Sequence, residues 1–360
     1  MRKQTTVMGL VVTLLLFGIM VCLAETEKAS LAGKIAFIRE GNIWLADAGG
    51  SNQRQLTKDG NFTRPSWSPD GKYLVCERHF KIGKGRWQHS VWLLDVEKVQ
   101  AKRLPPSLEN GDMYPTFSSD GRYVIYLKQQ FSPHPFDYRE VVDCLSAIDL
   151  QTLKQTVLAK EGPRDEDFSE PQFVSPCSID GIKDIVYATI PHEGGIGVSL
   201  FRLKSGVKRE WVIGREDFSS GKTPGKKDIF AEVYGEPAIS PDRKYIASIR
   251  TSFDYDQSGE GMAEKERIEL CLIRIGDKDI RVFKLPREVV YSNRAQHPSF
   301  SPGNRYIILT IASEEQWIRS RYDWGSWYLL NVGDIWIFDF ETGKQRLLIR
   351  NGVQPAWSPR

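Results

Sequence analysis

The chain has 360 residues, of which 41% are hydrophobic and 26% are charged. These proportions are close to the average for globular proteins, so they exclude a disordered chain and a membrane protein with many spans. The 49 basic and 46 acidic residues give a net charge of +3, and so small a charge gives no reason to expect binding to nucleic acid or to an anionic membrane surface.

The N-terminus has the layout of a secretory signal peptide. Arg2 and Lys3 precede an uncharged, largely apolar stretch that ends at Ala24, a small residue suited to cleavage. We expect residues 1–24 to be removed, residues 25–32 to form a short linker, and the protein to be periplasmic or secreted. An uncleaved single-span anchor is the alternative, because about 17 apolar residues are near the lower limit for a membrane span.

A repeated motif runs through the rest of the chain. Its clearest copy is PSWSPDGKYLV, and the next copy is PTFSSDGRYVI. Four more degraded copies follow, one of them with its Asp180-Gly181 turn delayed by an apparent insertion. The six copies begin at Pro65, Pro115, Pro171, Pro237, Pro298 and Pro355. The regular spacing of these starting residues indicates an array of similar supersecondary units.

Each copy predicts one sheet of four antiparallel strands. The SPDG segment is typical of a tight turn, because proline fixes its own φ and glycine accepts a positive φ. The turn lies between two short apolar runs, as expected for a hairpin. A third run such as Ile335–Asp339 and a weaker fourth run such as Arg346–Leu348 complete the unit. Four short antiparallel strands in each repeat are typical of a β-propeller blade.

The two ends of the chain set the predicted number of blades. Residues 34–57 match the second, third and fourth strands of a unit, and the segment around Trp357 matches a first strand. Pairing Pro355–Ser358 with Lys34–Ile38 would complete a blade and protect two exposed sheet edges. We therefore predict an all-β fold over residues 33–360, a six-bladed β-propeller of four-stranded antiparallel blades closed by this pairing.

The repeat resembles that of the TolB-type β-propeller family, with DAGGSNQRQLT at residues 47–57 as the closest match. The resemblance covers about residues 33–360. It implies an exported, non-catalytic propeller that binds a protein partner at the cell envelope, as TolB-type proteins bind a peptidoglycan-associated lipoprotein. Those proteins carry a small α/β domain before the propeller. We expect none here, because the first predicted strand begins at Lys34, close behind the predicted leader.

The sequence lacks the common short signatures of enzyme chemistry. It contains no G-x-S-x-G, no H-E-x-x-H and no phosphate-binding glycine loop. We therefore predict no enzymatic activity, no catalytic residue, no bound metal and no cofactor. The acidic segment Asp254–Glu260 resembles part of a calcium loop but lacks the glutamate that an EF-hand requires at its twelfth position, so we interpret it as solvated.

Histidines and cysteines give no local metal-site pattern. His79 and His89 lie near each other in a basic segment and are interpreted as solvated loop residues. A metal-dependent lyase would need histidines that converge from several blades. His134, His192 and His297 leave that alternative open. The four cysteines after the leader are far apart, and those within strand-like runs are predicted to be small buried residues.

Long loops predict the binding face. The loops that follow the second strand of each unit leave the propeller opposite the SPDG turns and are predicted at residues 78–89, 128–141, 188–196, 250–267 and 312–333. Three of them carry aromatic and basic residues, which are typical of protein interfaces and of stacking on sugars. The predicted binding residues are Arg78, Arg86, Trp87, Phe136, Tyr138, Trp317, Tyr322, Trp324 and Trp327.

We expect an envelope protein or peptide as the partner of this face, and a monomer that contacts the membrane peripherally at most. No nucleic-acid partner is expected. A carbohydrate-binding or polysaccharide-lyase-like propeller that uses the same face is the alternative, because aromatic loops also suit glycans.

Overall fold

The structure is a computed structural model. It describes residues 31–81, 87–105, 111–130, 142–160, 172–190, 197–202, 208–213, 230–234, 237–254, 265–275, 280–286, 295–320 and 332–360. The predicted signal peptide and most of the predicted linker lie outside these residues. In the part of the chain that is described, no helix is long and apolar enough to cross a membrane.

The described residues form antiparallel strands and one short helix. The elements in chain order are β1 Lys34–Arg39, β2 Asn42–Asp47, β3 Arg54–Gln55, β4 Phe62–Trp67, β5 Tyr73–Lys81, β6 Trp87–Asp95, β7 Gln100–Arg103, β8 Gly111–Phe117, β9 Tyr123–Gln130, β10 Val142–Asp149, β11 Gln155–Lys160, β12 Gln172–Asp180, β13 Asp184–Ile190, β14 Gly197–Arg202, β15 Lys208–Ile213, β16 Phe230–Tyr234, β17 Ala238–Ile239, β18 Tyr245–Asp254, β19 Lys265–Arg274, β20 Ile280–Lys284, β21 Ala295–Phe300, β22 Tyr306–Ile311, α1 Glu314–Ser320, β23 Asp334–Asp339, β24 Gln345–Ile349 and β25 Val353–Trp357.

These strands build an all-β propeller of four-stranded antiparallel blades. Sheet 1 has the order β25-β1-β2-β3, and sheets 2, 3 and 4 contain β4 to β7, β8 to β11 and β12 to β15. Sheet 5 contains β16 to β20, and sheet 6 contains β21 to β24. In sheets 2 to 6 the strand that comes first in the chain is called the inner strand. In sheet 1 the inner strand is β25.

Sheet 1 brings together the two ends of the described chain. Strand β25 pairs antiparallel with β1, so that Ile35 lies opposite Trp357 and Ala36 opposite Ala356. The predicted pairing of these two segments is therefore present in the structure. Trp357 is 5% exposed, and its ring stacks on Tyr306 of sheet 6 with a centroid separation of 6.4 Å.

Sheet 5 departs from the prediction of six regular four-stranded blades. Five sheets have four strands, whereas sheet 5 has five, because its inner strand is split into β16 and β17, which both pair with β18. Tyr234 and Ala238 are four residues apart, while their partners Arg250 and Ala247 are three apart. The extra residue precedes Pro237, which cannot donate a ladder hydrogen bond, and the strand is interrupted there.

A one-residue bulge at the same place marks the inner strands of the other sheets. From Thr63 to Ser66 the chain advances three residues while the partner strand advances two, from Glu77 to Val75. The residue before the motif proline has a positive φ in four of these bulges. Those residues are Arg64, Tyr114, His297 and Gln354. The bulges thus recur because each copy of the motif places a proline inside the inner strand.

The bulge in sheet 4 corrects the alignment of the repeat. It lies between Val174 and Cys177 and contains Pro176, whereas Pro171, the predicted start of this copy, lies outside the described residues. Asp180 follows Pro176 by four residues, close to the spacing in the other copies. The apparent insertion before the turn is therefore not needed.

The SPDG turns are held by side-chain hydrogen bonds. In sheet 2 the Ser68 hydroxyl donates to Asp70 at 2.6 Å and accepts from the Tyr73 backbone N–H at 2.9 Å. The carboxylate of Asp70 also accepts from the Lys72 N–H at 3.1 Å. The same serine–aspartate contact recurs in sheets 3 and 5. These contacts explain why serine and aspartate occupy those motif positions.

The core consists of apolar clusters between neighbouring sheets. Each of the five larger clusters combines side chains of two adjacent sheets, as expected where both faces of a blade are covered. Pairs that share a cluster are Phe37 and Ile335 for sheets 1 and 6, Ala36 and Leu74 for sheets 1 and 2, Val75 and Val124 for sheets 2 and 3, Leu127 and Ile185 for sheets 3 and 4, and Leu270 and Ile307 for sheets 5 and 6. Cys76, Cys144 and Cys271 are buried, as predicted for two of them, and the described cysteines are thiols rather than disulfides.

Strands extend into both ends of two predicted loops. Within the predicted loop at 78–89, β5 continues to Lys81 and β6 already begins at Trp87, and within 250–267, β18 reaches Asp254 and β19 begins at Lys265. Cross-strand pairing continues through these polar segments, which lack the apolar run used to predict strands. The predicted loop at 312–333 contains helix α1.

Candidate functional site

A cavity of about 510 Å³, called here the central cavity, is lined by inner-strand residues of all six sheets. Each sheet contributes the proline of its bulge to the lining. These prolines are Pro65, Pro115, Pro176, Pro237, Pro298 and Pro355. Pro69, Ser119, Arg243 and Pro359 of the SPDG-type turns also line the cavity, which therefore lies at the turn face, the side of the propeller that carries these turns.

The bulge residues with positive φ bring polar side chains to the cavity. Arg64, Tyr114, His297 and Gln354 all line it. The Arg64 backbone N–H donates to the Gln354 side-chain oxygen at 2.7 Å, and its guanidinium lies 4.0 Å from the centroid of the Tyr114 ring. These contacts join sheets 1, 2 and 3, so the polar lining also connects neighbouring blades.

Two tryptophans and two residues with hydroxyl groups also line the cavity. Trp67 and Trp357 are buried, and their indole N–H groups donate to backbone oxygens of Ala356 and Ala32 at 3.0 and 2.9 Å. The hydroxyls of Ser66 and Thr116, on the inner strands of sheets 2 and 3, lie 3.3 Å apart. Rigid prolines and buried indoles therefore give the cavity a fixed shape and a mostly apolar wall.

A second cluster, Glu77, His79 and His89, lies on the hairpin formed by β5 and β6. One ligand atom from each residue lies within 4.8 Å of the others. His79 is directly opposite His89 in the strand pair, so the interpretation of both as solvated loop residues is wrong. Glu77 is 2% exposed, and its Oε1 lies 2.6 Å from Nδ1 of His89 and 3.8 Å from Nδ1 of His79.

The surroundings of Glu77 favour its ionised form. Burial acts to raise the pKa of Glu77, but contacts with His79 and His89 and the positive charge of Arg64 lower this pKa well below its usual range. Its Oε2 accepts a hydrogen bond from the Tyr114 backbone N–H of sheet 3 at 3.1 Å. The carboxylate is thus fixed between two blades with Oε1 directed at the imidazoles.

Asp112 is a further buried carboxylate, on β8. It is 1% exposed, and its Oδ1 has no hydrogen-bond partner among the described residues. Burial raises the pKa of Asp112 to about 7, although the charges of Lys128 and Arg103 act in the opposite direction. This group therefore changes its charge near neutral pH.

Of the predicted binding residues, Arg78 is the one whose side chain is described. Its guanidinium lies within 4.8–5.1 Å of the ring centroids of Phe62, Phe80 and Trp92, and its side chain is 15% exposed and 3.5 Å from Asp59. It packs on aromatic rings of its own sheet and supports the fold. Trp87 lies on β6 and Trp317 on α1, and nothing further is described of their side chains.

The remaining predicted binding residues lie outside the described part of the chain. They are Arg86, Phe136, Tyr138, Tyr322, Trp324 and Trp327. A long-loop binding surface therefore stays a prediction. His134 and His192, which the lyase alternative requires, also lie outside the described residues. His297 lines the central cavity, and no histidine or carboxylate beside it is found in the described lining.

Sequence comparison and structure comparison give different results. No protein-family model matches the chain, and no curated protein matches it in sequence. Among solved structures, TolB from Acinetobacter baumannii superposes with a TM-score of 0.60 at 15% identity, over 92% of this chain and 67% of that chain. The similarity shows a shared β-propeller fold.

Other propellers are similar to a comparable degree. An oligogalacturonate lyase solved in complex with manganese gives a TM-score of 0.50 at 13% identity, over 86% of this chain and 70% of that chain. A chain of a nidogen/laminin complex gives 0.51 at 7% identity, over 91% of this chain and 98% of that one. A binding protein and an enzyme thus share this architecture, which does not determine the function.

Proposed function

We propose that this chain is an exported, non-catalytic, TolB-like propeller that binds a protein partner at the cell envelope, and that its six sheets close into one six-bladed ring. The central cavity carries the proposal, because inner-strand residues of all six sheets line it. Export rests on the predicted leader at residues 1–24. The likeness to TolB supports the fold of the proposal.

The size and lining of the cavity suit a short peptide segment. Its volume of about 510 Å³ falls within the range of about 300–1,000 Å³ that is typical of ligand sites. Proline rings form a rigid apolar wall, and His297 and Gln354 add polar groups. A protein segment presents the matching combination of apolar side chains and backbone amides, and a preformed site reduces the entropy lost on binding.

The partner is expected to enter from the turn face. Pro69, Arg243 and Pro359 lie at that end of the cavity and would contact the rest of the partner. The aromatic residues predicted on the long-loop face would form a second surface for the partner. The experiment must therefore distinguish binding in the central cavity from binding to the long-loop face.

Affinity capture from envelope extracts with a filled cavity tests the proposal. Thr116→Phe adds a ring inside the cavity, Thr116→Val keeps the side-chain volume, and Val157→Phe adds the same ring on the outer strand β11, where Val157 is 46% exposed. Thr116→Phe should reduce capture more than tenfold, whereas the two control variants should capture like the wild type.

Circular dichroism and thermal melting must show that all three variants fold. Equal capture by the folded Thr116→Phe variant would contradict docking in the cavity. Cleavage of a polyuronate by the wild-type protein, with release of unsaturated sugars, would contradict the non-catalytic function and support the lyase alternative.

A further inference from the structure

The hairpin of β5 and β6 carries three metal-ligating side chains on one face. Glu77 and His79 are two residues apart on β5, so they point to the same side of the sheet. His89 is directly opposite His79 on β6 and therefore shares that side. The two imidazole rings lie 5.4 Å apart in an edge-on arrangement.

We propose that Glu77, His79 and His89 bind a late first-row divalent cation, with Zn²⁺ as the best fit. Two imidazoles and one carboxylate form a ligand set that is typical of zinc, with the fourth position open to water or to another ligand. These three residues are not among those that line the central cavity, although Glu77 contacts the lining residues Arg64 and Tyr114, and the inference does not depend on the proposed binding function.

The distances match what such an ion requires. Ligand atoms that share one tetrahedral Zn²⁺ lie about 3.3 Å apart, given zinc–ligand bonds of about 2.0–2.1 Å. The observed separations from Glu77 Oε1 to the two histidine Nδ1 atoms are 2.6 and 3.8 Å, which lie on either side of that value. The 2.6 Å contact is a hydrogen bond between His89 and Glu77, so a bound ion would replace it and the proton between the two atoms would leave to solvent.

The carboxylate of Glu77 is held in place from its other side. Its Oε2 accepts the Tyr114 N–H, and Nε of Arg64 lies 3.9 Å from the same oxygen. Contacts of this kind orient a ligand and fix its charge state. Arg64 opposes a cation by its positive charge, but it lies on the Oε2 side, whereas Oε1 faces the imidazoles.

Solvent can reach the site. The side chains of His79 and His89 are 20% and 25% exposed, while Glu77 is 2% exposed. An ion can therefore enter from solvent past the imidazoles and meet the buried carboxylate of Glu77. Because Glu77 also contacts sheet 3, a bound ion would connect the end of this hairpin to the neighbouring blade and stiffen it.

Metal titration of the exported chain, purified without a histidine tag and treated with chelator, tests the site. Co²⁺ should bind in a 1:1 ratio with the visible absorption of a four- or five-coordinate ion, and Zn²⁺ should displace it. His79→Asn and His89→Asn should each weaken Zn²⁺ binding by more than about 100-fold, since even the loss of an outer contact costs about 10–100-fold. His297→Asn, which changes a histidine of the cavity, should bind like the wild type.

A second measurement needs no variant. In the wild-type protein, one equivalent of Zn²⁺ should protect His79 and His89 from modification by diethyl pyrocarbonate, as mapped by mass spectrometry, while the reactivity of His297 stays unchanged. The proposal is overturned if Zn²⁺ protects neither histidine, if the wild type binds no Co²⁺ or Zn²⁺ at micromolar concentrations, or if the folded double variant His79→Asn/His89→Asn binds as tightly as the wild type.

Discussion

Lys34 and Ser358 join the two ends of the described chain by reciprocal hydrogen bonds. The Ser358 backbone N–H donates to the carbonyl of Lys34 at 2.8 Å, and the Lys34 N–H donates to the Ser358 hydroxyl at 2.8 Å. Ser358 is the counterpart of Ser68, Ser240 and Ser301, the motif serines that precede proline in other copies. The last copy of the motif thus uses its turn serine to fix the first strand of the propeller.

The indole of Trp357 is expected to be a main support of this junction. Trp357→Ala should lower the free energy of unfolding by about 3–5 kcal/mol, the range for a buried aromatic side chain, because it removes the contact with Tyr306 and the hydrogen bond to Ala32. Denaturant titration measures the loss. Leu153→Ala, at a position that is 47% exposed, is the control and should change stability little. An unchanged midpoint for Trp357→Ala would show that the junction does not stabilise the fold.

Two glycines test how tightly sheets 1 and 6 pack. Gly50 and Gly71 both have positive φ, but a Cβ at Gly50 would lie 2.6 Å from the carbonyl oxygen of Leu348 in sheet 6, whereas a Cβ at Gly71 meets nothing within 4 Å. Gly71→Ala should cost about 1 kcal/mol through backbone strain alone, and Gly50→Ala about 2–4 kcal/mol because the clash adds to the strain. Equal losses in thermal or denaturant unfolding would contradict close contact between these sheets.

Asp112 predicts a pH dependence of stability. The pKa of Asp112 is about 7 in the folded protein and about 4 when unfolded, so the folded state binds more protons between these values. Its contribution to stability therefore falls as the pH rises from about 4 to about 7. Asp112→Asn should stabilise the protein by about 1–3 kcal/mol at pH 8, where the wild type carries a buried charge without a full set of partners.

The same substitution should gain little at pH 4, where the wild-type carboxyl is already neutral. Comparing the unfolding free energies of the two proteins at both pH values checks this. A gain that does not change with pH would mean that Asp112 is not protonated near neutral pH in the folded protein.

The long-loop aromatics remain to be tested by mutation. Replacing Trp317, Trp324 and Trp327 together with alanine should reduce capture of the partner and leave the melting temperature unchanged if these side chains form a binding surface. Loss of folding would instead make them packing residues. Charge reversal at Arg86 should mainly slow association, whereas reversal at Arg78 should destabilise the fold, because Arg78 lies among three aromatic rings.

The blade pattern could be predicted because the residues of each strand and of the turn beside it indicate that strand without reference to distant parts of the sequence. The run from Tyr306 to Ile311 is apolar, as expected for a strand that is covered on both faces. The turn before it contains Ser301, Pro302 and Gly303, which are typical turn residues. The split inner strand of sheet 5 could not be predicted in this way. The other five inner strands also contain a one-residue bulge with a proline and are not split, so neither the extra residue nor Pro237 distinguishes sheet 5 in the sequence.

The second cluster escaped prediction for a related reason. His79 and His89 lie in a polar segment where no apolar alternation indicates a strand. Glu77 accepts a hydrogen bond from Tyr114 of the next blade, which is distant in sequence. One signal was present in the sequence: the two histidines are equally distant from Gly83-Lys84-Gly85, whose glycines are typical of a turn, and a hairpin centred there would place them opposite each other.

Site-specific photo-crosslinking in the envelope tests the central claim most directly. A photoreactive amino acid at Thr116 lies in the central cavity, and the same residue at Val157 lies on the outer strand β11. The account predicts that position 116 crosslinks a single envelope protein at one short peptide segment and that position 157 does not. Crosslinks of the same partner from position 157 but not from position 116 would contradict binding in the cavity.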